Sequence, residues 1–82
     1  MENLPAISGP ALIKLLENDG WEIHWRVTHG VSLRKKVGDR TLVTVIPTKK
    51  DSLPRGTLGA ILGPNQTDLG SDGLERLLSK SS

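Results

Sequence analysis

The side chains best suited to chemistry lie together in the middle of this 82-residue sequence. Residues 26–55 contain eight cations and two acids, a net charge of +6, whereas the remainder contains three cations and seven acids. This concentration indicates a local site for a polyanion, although small domains also segregate charge by chance. The same segment contains His29, one of two histidines. The candidates for contact with phosphates are Arg26, Arg34, Lys35, Lys36, Lys49 and Lys50.

A histidine among cations suits one reaction that needs no metal. The 2′-hydroxyl of RNA can attack the adjacent phosphate if a base removes its proton, an acid protonates the departing 5′ oxygen, and positive charge stabilises the phosphate. Histidine can fill either proton-transfer role because its pKa is near neutrality. We therefore take His29 as the candidate catalytic residue, with a structural role at the rim of a sheet as the alternative. His24 is expected on the opposite sheet face, so no second proton-transfer group is identified.

Composition narrows the remaining classes of function. The sequence has no cysteine and only two histidines, which argues against disulfides and against a zinc site. It has neither a phosphate-binding loop nor a dinucleotide-binding glycine pattern, so no cofactor is expected. Neither a secretory signal nor an apolar run of about 20 residues is visible, which favours a cytoplasmic protein without a membrane anchor. Because phenylalanine and tyrosine are absent, a sheet face that stacks bases on aromatic rings is not expected.

Apolar periodicity and turn residues predict a single domain over residues 1–82. Ser8 is typical of a helix start and Gly20 of a helix end. The predicted elements are a helix over 9–18, strands over 21–26, 29–36 and 40–46, a short helix over 56–62 ended by Gly63-Pro64, and a last helix that Ser71 caps and that frays from residue 79. Short turns between successive strands favour an antiparallel meander with the helices stacked on one face. We therefore predict an α+β two-layer sandwich, similar to the double-stranded-RNA-binding domain.

Alternation of apolar and polar residues predicts which side chains of the first strand face the helices. Trp21, Ile23 and Trp25 alternate with polar residues, so both tryptophans are expected in the core. A three-residue link, or a bulge, is needed before the second strand to keep this alternation in register. The three-residue link would place Trp25 opposite His29, so that the histidine lies at the rim of the core face beside an indole.

The second hairpin is predicted from the glycine between its two strands. A three-residue turn at 37–39 is a common hairpin connection. It would place Leu33 opposite Val43 and Val31 opposite Val45, which matches apolar residues on a single face.

The order and spacing of several short motifs resemble those of the HicA-type (YcfA-like) mRNA interferase toxins. The matching segments, in chain order, are Ser8-Gly9, Leu15-Leu16, Asp19-Gly20-Trp21, Thr28-His29, residues 40–47, Gly56-Thr57-Leu58 and Ile61-Leu62. They run through most of the chain. Where the family usually has Gly-Ser-His, this sequence has Val27-Thr28-His29, which keeps the hydroxyl but not the glycine.

The resemblance implies a toxin with a double-stranded-RNA-binding-like fold that cleaves mRNA with one histidine at the start of the second strand. That histidine maps onto His29, with Thr28 beside it in the RNA-binding set. The resemblance also implies a HicB-type antitoxin protein that covers the site. The leading hypothesis is the toxin component of a type II toxin–antitoxin system, a metal-independent endoribonuclease. Two alternatives stay open: a non-catalytic RNA-binding module in which His29 packs against Trp25, and a degenerate toxin-like protein that makes protein–protein contacts.

Overall fold

The computed structural model describes residues 6–81, without the side chain of Ser81. Its elements, in chain order, are helix α1 (Gly9–Asn18), strands β1 (Glu22–Val27), β2 (Gly30–Val37) and β3 (Arg40–Pro47), and helices α2 (Arg55–Leu62) and α3 (Gly70–Ser81). The three strands form an antiparallel sheet in the order β1-β2-β3. Helix α1 contacts β1 and β3, α2 contacts β3, and α3 packs on α1 and α2. The predicted α+β architecture, with helices stacked on one face of a three-stranded sheet, is confirmed.

The hydrophobic core lies between the sheet and the helix layer. Its side chains come from all three helices and from the inward face of β2 and β3, so the two layers share one apolar interior. The most deeply buried of them are Leu12, Leu16, Leu33, Ile46, Leu58, Ile61 and Leu74.

Helix α1 covers the predicted residues 9–18 because both of its ends are determined locally. Ser8 Oγ accepts a hydrogen bond from the backbone N–H of Ala11 (3.3 Å), which satisfies one of the free donors of the first turn. Gly20, just beyond the other end, has φ +98°, a left-handed conformation that glycine adopts without strain.

The start of α1 crosses the end of β3 at very short range. A Cβ atom on Gly9 would overlap the carbonyl oxygen of Pro47, so the crossing requires glycine. A second link lies beside it, because the N–H of Leu53 donates to Ile7 O (2.8 Å). These contacts hold the loop after β3 against the N-terminal end of α1.

The β2–β3 hairpin turns through two residues, Gly38-Asp39, and not through the predicted three at 37–39. The shorter turn moves the register by one residue, so Leu33 pairs with Thr44 and the predicted partner Val43 is wrong. A slip of one residue moves every side chain of a strand to the other face. All of β3 is therefore turned over relative to the prediction.

The second predicted pair fails for the same reason, because Val31 faces Ile46 and not Val45. Ile46 is fully buried, whereas Val43 and Val45 are 46% and 50% exposed. Apolar residues occupy both alternating positions of β3, so the pattern alone did not decide which set faces the core. The chosen register buries Thr44 together with Ile46.

The hydroxyl that this register buries has a partner. Thr44 is 1% exposed, and its Oγ1 donates to Gln66 Oε1 at 2.6 Å. Gln66 lies in the link between α2 and α3, where Thr67 Oγ1 donates to Ile61 O at 2.7 Å. The link therefore satisfies a polar group of the sheet that would destabilise the fold by about 1–3 kcal/mol if it were unpaired.

The β1–β2 hairpin combines a two-residue turn, Thr28-His29, with a bulge at His24. Trp25, just after this extra residue, pairs with Ser32. Ile23, just before it, pairs with Leu33. The predicted bulge is confirmed, although it lies inside the strand, and the predicted three-residue link is wrong. The extra residue returns the beginning of β1 to the register in which Ile23 faces the core.

The bulge separates the two tryptophans. Trp21 is 3% exposed, as predicted, and its Nε1 has no hydrogen-bond partner among residues 6–81. Trp25 is 63% exposed, so its predicted place in the core is wrong. An extra residue between Ile23 and Trp25 reverses the alternation, which directs Trp25 to the face that none of the described helices covers. Trp25 also does not lie opposite His29.

Helices α2 and α3 follow the predicted positions closely. Helix α2 begins one residue before the predicted start and ends at the predicted Leu62, just before Gly63. Helix α3 begins one residue before the predicted cap, Ser71, and continues to Ser81, so the predicted fraying from residue 79 is wrong up to that point. Residues 1–5, where no secretory signal was expected, and residue 82 lie outside the described part of the chain.

We expect Gly9→Ala to lower the free energy of unfolding by about 3 kcal/mol or more, because the new methyl group would overlap a backbone oxygen of Pro47. Gly59→Ala in α2 is the matched control. Nothing lies within 4 Å of a Cβ atom at Gly59, so this substitution should stabilise the helix, by about 0.5–1 kcal/mol. Urea unfolding measures both changes, and equal midpoints for the two variants would contradict the close crossing.

Candidate nucleic-acid interface

His29 is exposed in the two-residue turn at one end of the sheet. Its backbone oxygen accepts a hydrogen bond from the N–H of Thr48 (3.2 Å), which joins the turn to the segment after β3. The imidazole has no hydrogen-bond partner among residues 6–81. The turn is therefore fixed through the main chain while the ring remains accessible to a ligand. His29 lies at the end of the sheet, as predicted, but in the turn and not in the strand, because β2 begins one residue later than predicted.

Three of the candidate cations lie on the segments next to this turn. Lys49 follows Thr48 directly, and successive Cα atoms are about 3.8 Å apart. The loop that begins at the hydrogen bond to His29 therefore carries Lys49 and Lys50, and both are exposed. Arg26 is also exposed, three residues before His29 on the same hairpin. The segments that adjoin the His29 turn therefore carry three exposed cations.

The other three candidate cations lie toward the opposite end of the sheet. With a rise of about 3.3 Å per residue, Arg34 lies about 17 Å and Lys36 about 23 Å from His29 along β2. Lys35 forms an ion pair with Asp19, with 3.1 Å between Nζ and Oδ2, and the two side chains are only 30% and 20% exposed. Lys35 is thus engaged within the fold. The structure divides the six candidate cations between two places and does not gather them around His29.

The face of the sheet that none of the described helices covers carries an exposed apolar group. The register places Trp25, Ser32 and Val45 in one row across the three strands. A Cβ atom on Gly30 would lie 3.2 Å from Val45 Cγ1 and 3.4 Å from Val27 Cγ2, so both valines flank β2 on this face. Ser32 is 8% exposed because its short side chain lies between larger neighbours. We call this surface the open face.

Beyond the row of Trp25 the open face becomes basic. Arg34 follows Ser32 by two residues, and its partner on β1 is Glu22, the first residue of that strand. Lys36 therefore has no partner on β1, and a hollow of about 510 Å³ remains beside it. The hollow, which we call the basic notch, is lined by Gly20, Glu22, Arg34, Lys35, Lys36 and Thr41. Because Lys35 is paired with Asp19, the cations that the notch offers to an anion are Arg34 and Lys36, beside the single acid Glu22.

Trp25 is the exposed residue that sequence patterns did not identify. Its spacing from Trp21 and Ile23 predicted burial, because residues two apart on a regular strand share a face. A two-residue link cannot keep this alternation in register unless the strand contains a bulge. The sequence therefore did indicate that a bulge was possible. It left open the position of the bulge, which decides the direction of Trp25.

Comparisons with known proteins identify no relative, since no family model, no curated protein and no solved structure matches the chain. Among residues 6–81, no group of three or more histidine, cysteine, aspartate or glutamate side chains is placed to hold a metal ion. The described helices include none with the length and apolar character that crossing a membrane requires.

The difference in exposure between the two tryptophans predicts different fluorescence. In Trp25→Leu the remaining Trp21 should emit at short wavelength and resist acrylamide, because it is 3% exposed. In Trp21→Phe the remaining Trp25 should emit as a solvated indole and be quenched strongly, because it is 63% exposed. Similar quenching in the two variants would contradict the bulge at His24.

Proposed function

We propose that the chain is a metal-independent endoribonuclease that cleaves mRNA with His29. The observation that carries this proposal is the exposed imidazole of His29 in a turn held by the backbone bond to Thr48, beside the exposed Lys49 and Lys50. A fixed backbone with an accessible ring suits a proton-transfer residue. Cations beside the ring supply the charge that a phosphate needs in the transition state.

In the proposed reaction, His29 either removes the proton of the 2′-hydroxyl or protonates the departing 5′ oxygen, and solvent water carries out the other of these two proton transfers. The 2′ oxygen forms a bond to phosphorus while the bond to the 5′ oxygen breaks, which leaves a 2′,3′-cyclic phosphate and a 5′-hydroxyl. Lys49 and Lys50 stabilise the crowded phosphate, and Arg26 and Thr28 bind the RNA from the same hairpin. DNA lacks the 2′-hydroxyl and is therefore not a substrate.

The resemblance to the HicA-type toxins supports a biological role for this activity. In that role the chain is the toxin of a type II toxin–antitoxin system, acts on mRNA in the cytoplasm, and is held inactive by a HicB-type antitoxin protein. Thr28-His29 supplies the hydroxyl and the imidazole of the family motif. Val27 replaces the glycine of the motif but is 47% exposed, so its side chain is not forced into a crowded site.

One observation favours a second candidate function, a non-catalytic RNA-binding module. The imidazole of His29 has no hydrogen bond with any side chain among residues 6–81. No side chain therefore orients the ring or stands beside it as a second proton-transfer group. In this module the cations bind the RNA, and His29 is one of several residues that contact it. His29 does not pack on Trp25. A degenerate toxin-like interaction protein, which binds no RNA, is the third candidate.

A comparison of His29→Ala with His24→Ala tests the proposed function. Both histidines are exposed, so neither substitution removes core packing. His29→Ala should lower the rate of RNA cleavage by about 10²–10⁴-fold, the contribution of one proton-transfer group. His24→Ala should cleave at the wild-type rate. The assay follows the appearance of 5′-hydroxyl ends in the presence of EDTA, with a fully 2′-deoxy oligonucleotide as the uncleaved control.

Equal cleavage by the wild type and His29→Ala would reject catalysis by His29. If neither protein cleaves, the salt dependence of RNA binding separates the other two candidates. Binding that weakens as salt rises identifies the RNA-binding module, because phosphate contacts release counterions. An absence of binding identifies the interaction protein.

A further inference from the structure

We propose that the open face binds single-stranded RNA, with one base stacked on Trp25 and the phosphates on one side of that base in the basic notch. This inference rests on the proposed function for the identity of the ligand, and it names the surface that holds the substrate next to His29. This role departs from the sequence prediction, which placed Trp25 in the core and expected no sheet face that stacks bases, because phenylalanine and tyrosine are absent.

Trp25 forms a platform that core packing does not explain. Tryptophan side chains usually bury much of their large apolar surface, whereas Trp25 is 63% exposed. Its neighbour on β2 is the short Ser32, so no bulky side chain stands beside it on the central strand. Val27 and Val45, each about half exposed, extend the apolar area around it. Aromatic side chains on such surfaces stack bases of any sequence, because every base has an aromatic face.

The charge on the open face is placed where the adjoining phosphates would lie. Arg34 and Lys36 follow Ser32 on the same face by two and four residues, which corresponds to about 7 and 13 Å along β2. Among the described residues of this face, Glu22 is the one acid. A single strand that leaves Trp25 in this direction enters the basic notch.

The same surface leads to the proposed catalytic residue. Ser32, which marks the row of Trp25, follows His29 by three residues, about 10 Å along the strand. A base stacked on Trp25 therefore directs the chain on its other side toward His29 and Lys49. Arg34 and Lys36 lie on one side of the stacking residue, and the loop with Lys49 and Lys50 lies on the other, whereas Arg26 and Lys35 alternate onto the helix side.

A second copy of the chain or an apolar protein partner fits the open face less well. Face-to-face association of two copies would bring Arg34 and Lys36 of both copies into one interface and concentrate positive charge there. An apolar partner would remove water from these cations without replacing it. A nucleic-acid strand covers the indole and neutralises the cations at the same time.

Trp25 itself reports on this binding. A single-stranded RNA of about eight adenines is titrated into the His29→Ala protein, so that the RNA stays intact, and the indole fluorescence is followed. The RNA should quench the emission of Trp25, since Trp21 is buried. Trp25→Leu in the same background should weaken binding about tenfold, as measured by the anisotropy of labelled RNA. Val37→Ala, which alters an exposed apolar residue of the other face, should bind as the parent does.

The basic notch has a separate test. The double substitution Arg34→Gln and Lys36→Gln should reduce the slope of log affinity against log salt by about 1.4, because each lost phosphate contact to a single strand contributes about 0.7. Arg76→Gln, an exposed cation of α3, is the matched control and should leave the slope unchanged. Circular dichroism and thermal unfolding confirm that each variant is folded.

The outcomes separate this inference from the proposed function. The inference would be overturned if Trp25→Leu bound RNA as tightly as the parent and the double variant kept the salt slope unchanged. This holds even if the protein cleaves RNA with His29. Quenching of Trp25 by RNA, in a protein that does not cleave, would support the binding face and reject the nuclease. A dimer that Trp25→Leu dissociates and that RNA does not would overturn the inference in favour of self-association.

Discussion

The two-residue repeat of β2 is the constraint on which the rest of the structure depends. Val31 and Leu33 are buried in the core on the helix side, with 3% and 0% exposure. The repeat therefore assigns Ser32 and Arg34 to the opposite face. Both outer strands are placed by this central one. A two-residue turn sets the register of β3, and a bulge in β1 brings Ile23 back onto the core side. The composition of both sheet faces follows from these two adjustments.

The elements could be predicted from the sequence where the information is local, and the register could not. Ser8 and Gly20 stand next to the helix that they delimit, and the predicted limits of α1 match Gly9–Asn18. In β3, apolar residues occupy both alternating sets, so the length of the preceding turn and the partner available in the α2–α3 link decide that Thr44 is buried. Similarly, packing across the whole sheet selects the position of the bulge, and this position brings Trp25 to the surface.

In the candidate site, too, some features could be predicted from the sequence and others could not. The exposure of His29 follows from its place in the turn between two strands, whereas the sequence predicted it as the first residue of the second strand. The grouping of the cations depends on three-dimensional arrangement. Lys35 alternates onto the helix side and pairs with Asp19, a partly solvated contact worth up to about 1 kcal/mol. Lys36, its neighbour in sequence, lies on the open face. Charge counted along the chain does not distinguish a cation that stabilises the fold from one that is available to a ligand.

The bulge in β1 also bears on how one edge of the sheet can pair with other chains. Strands β1 and β3 are the outer strands of an open sheet, and the unpaired N–H and C=O groups of an outer strand can template the addition of another chain. The extra residue at His24 interrupts the regular spacing of these groups, and the exposed Glu22 and Arg26 place charge on either side of it. Such a strand is a poor template for fibril growth. The protein therefore presents its exposed indole on a strand whose edge is poorly suited to recruit a second molecule.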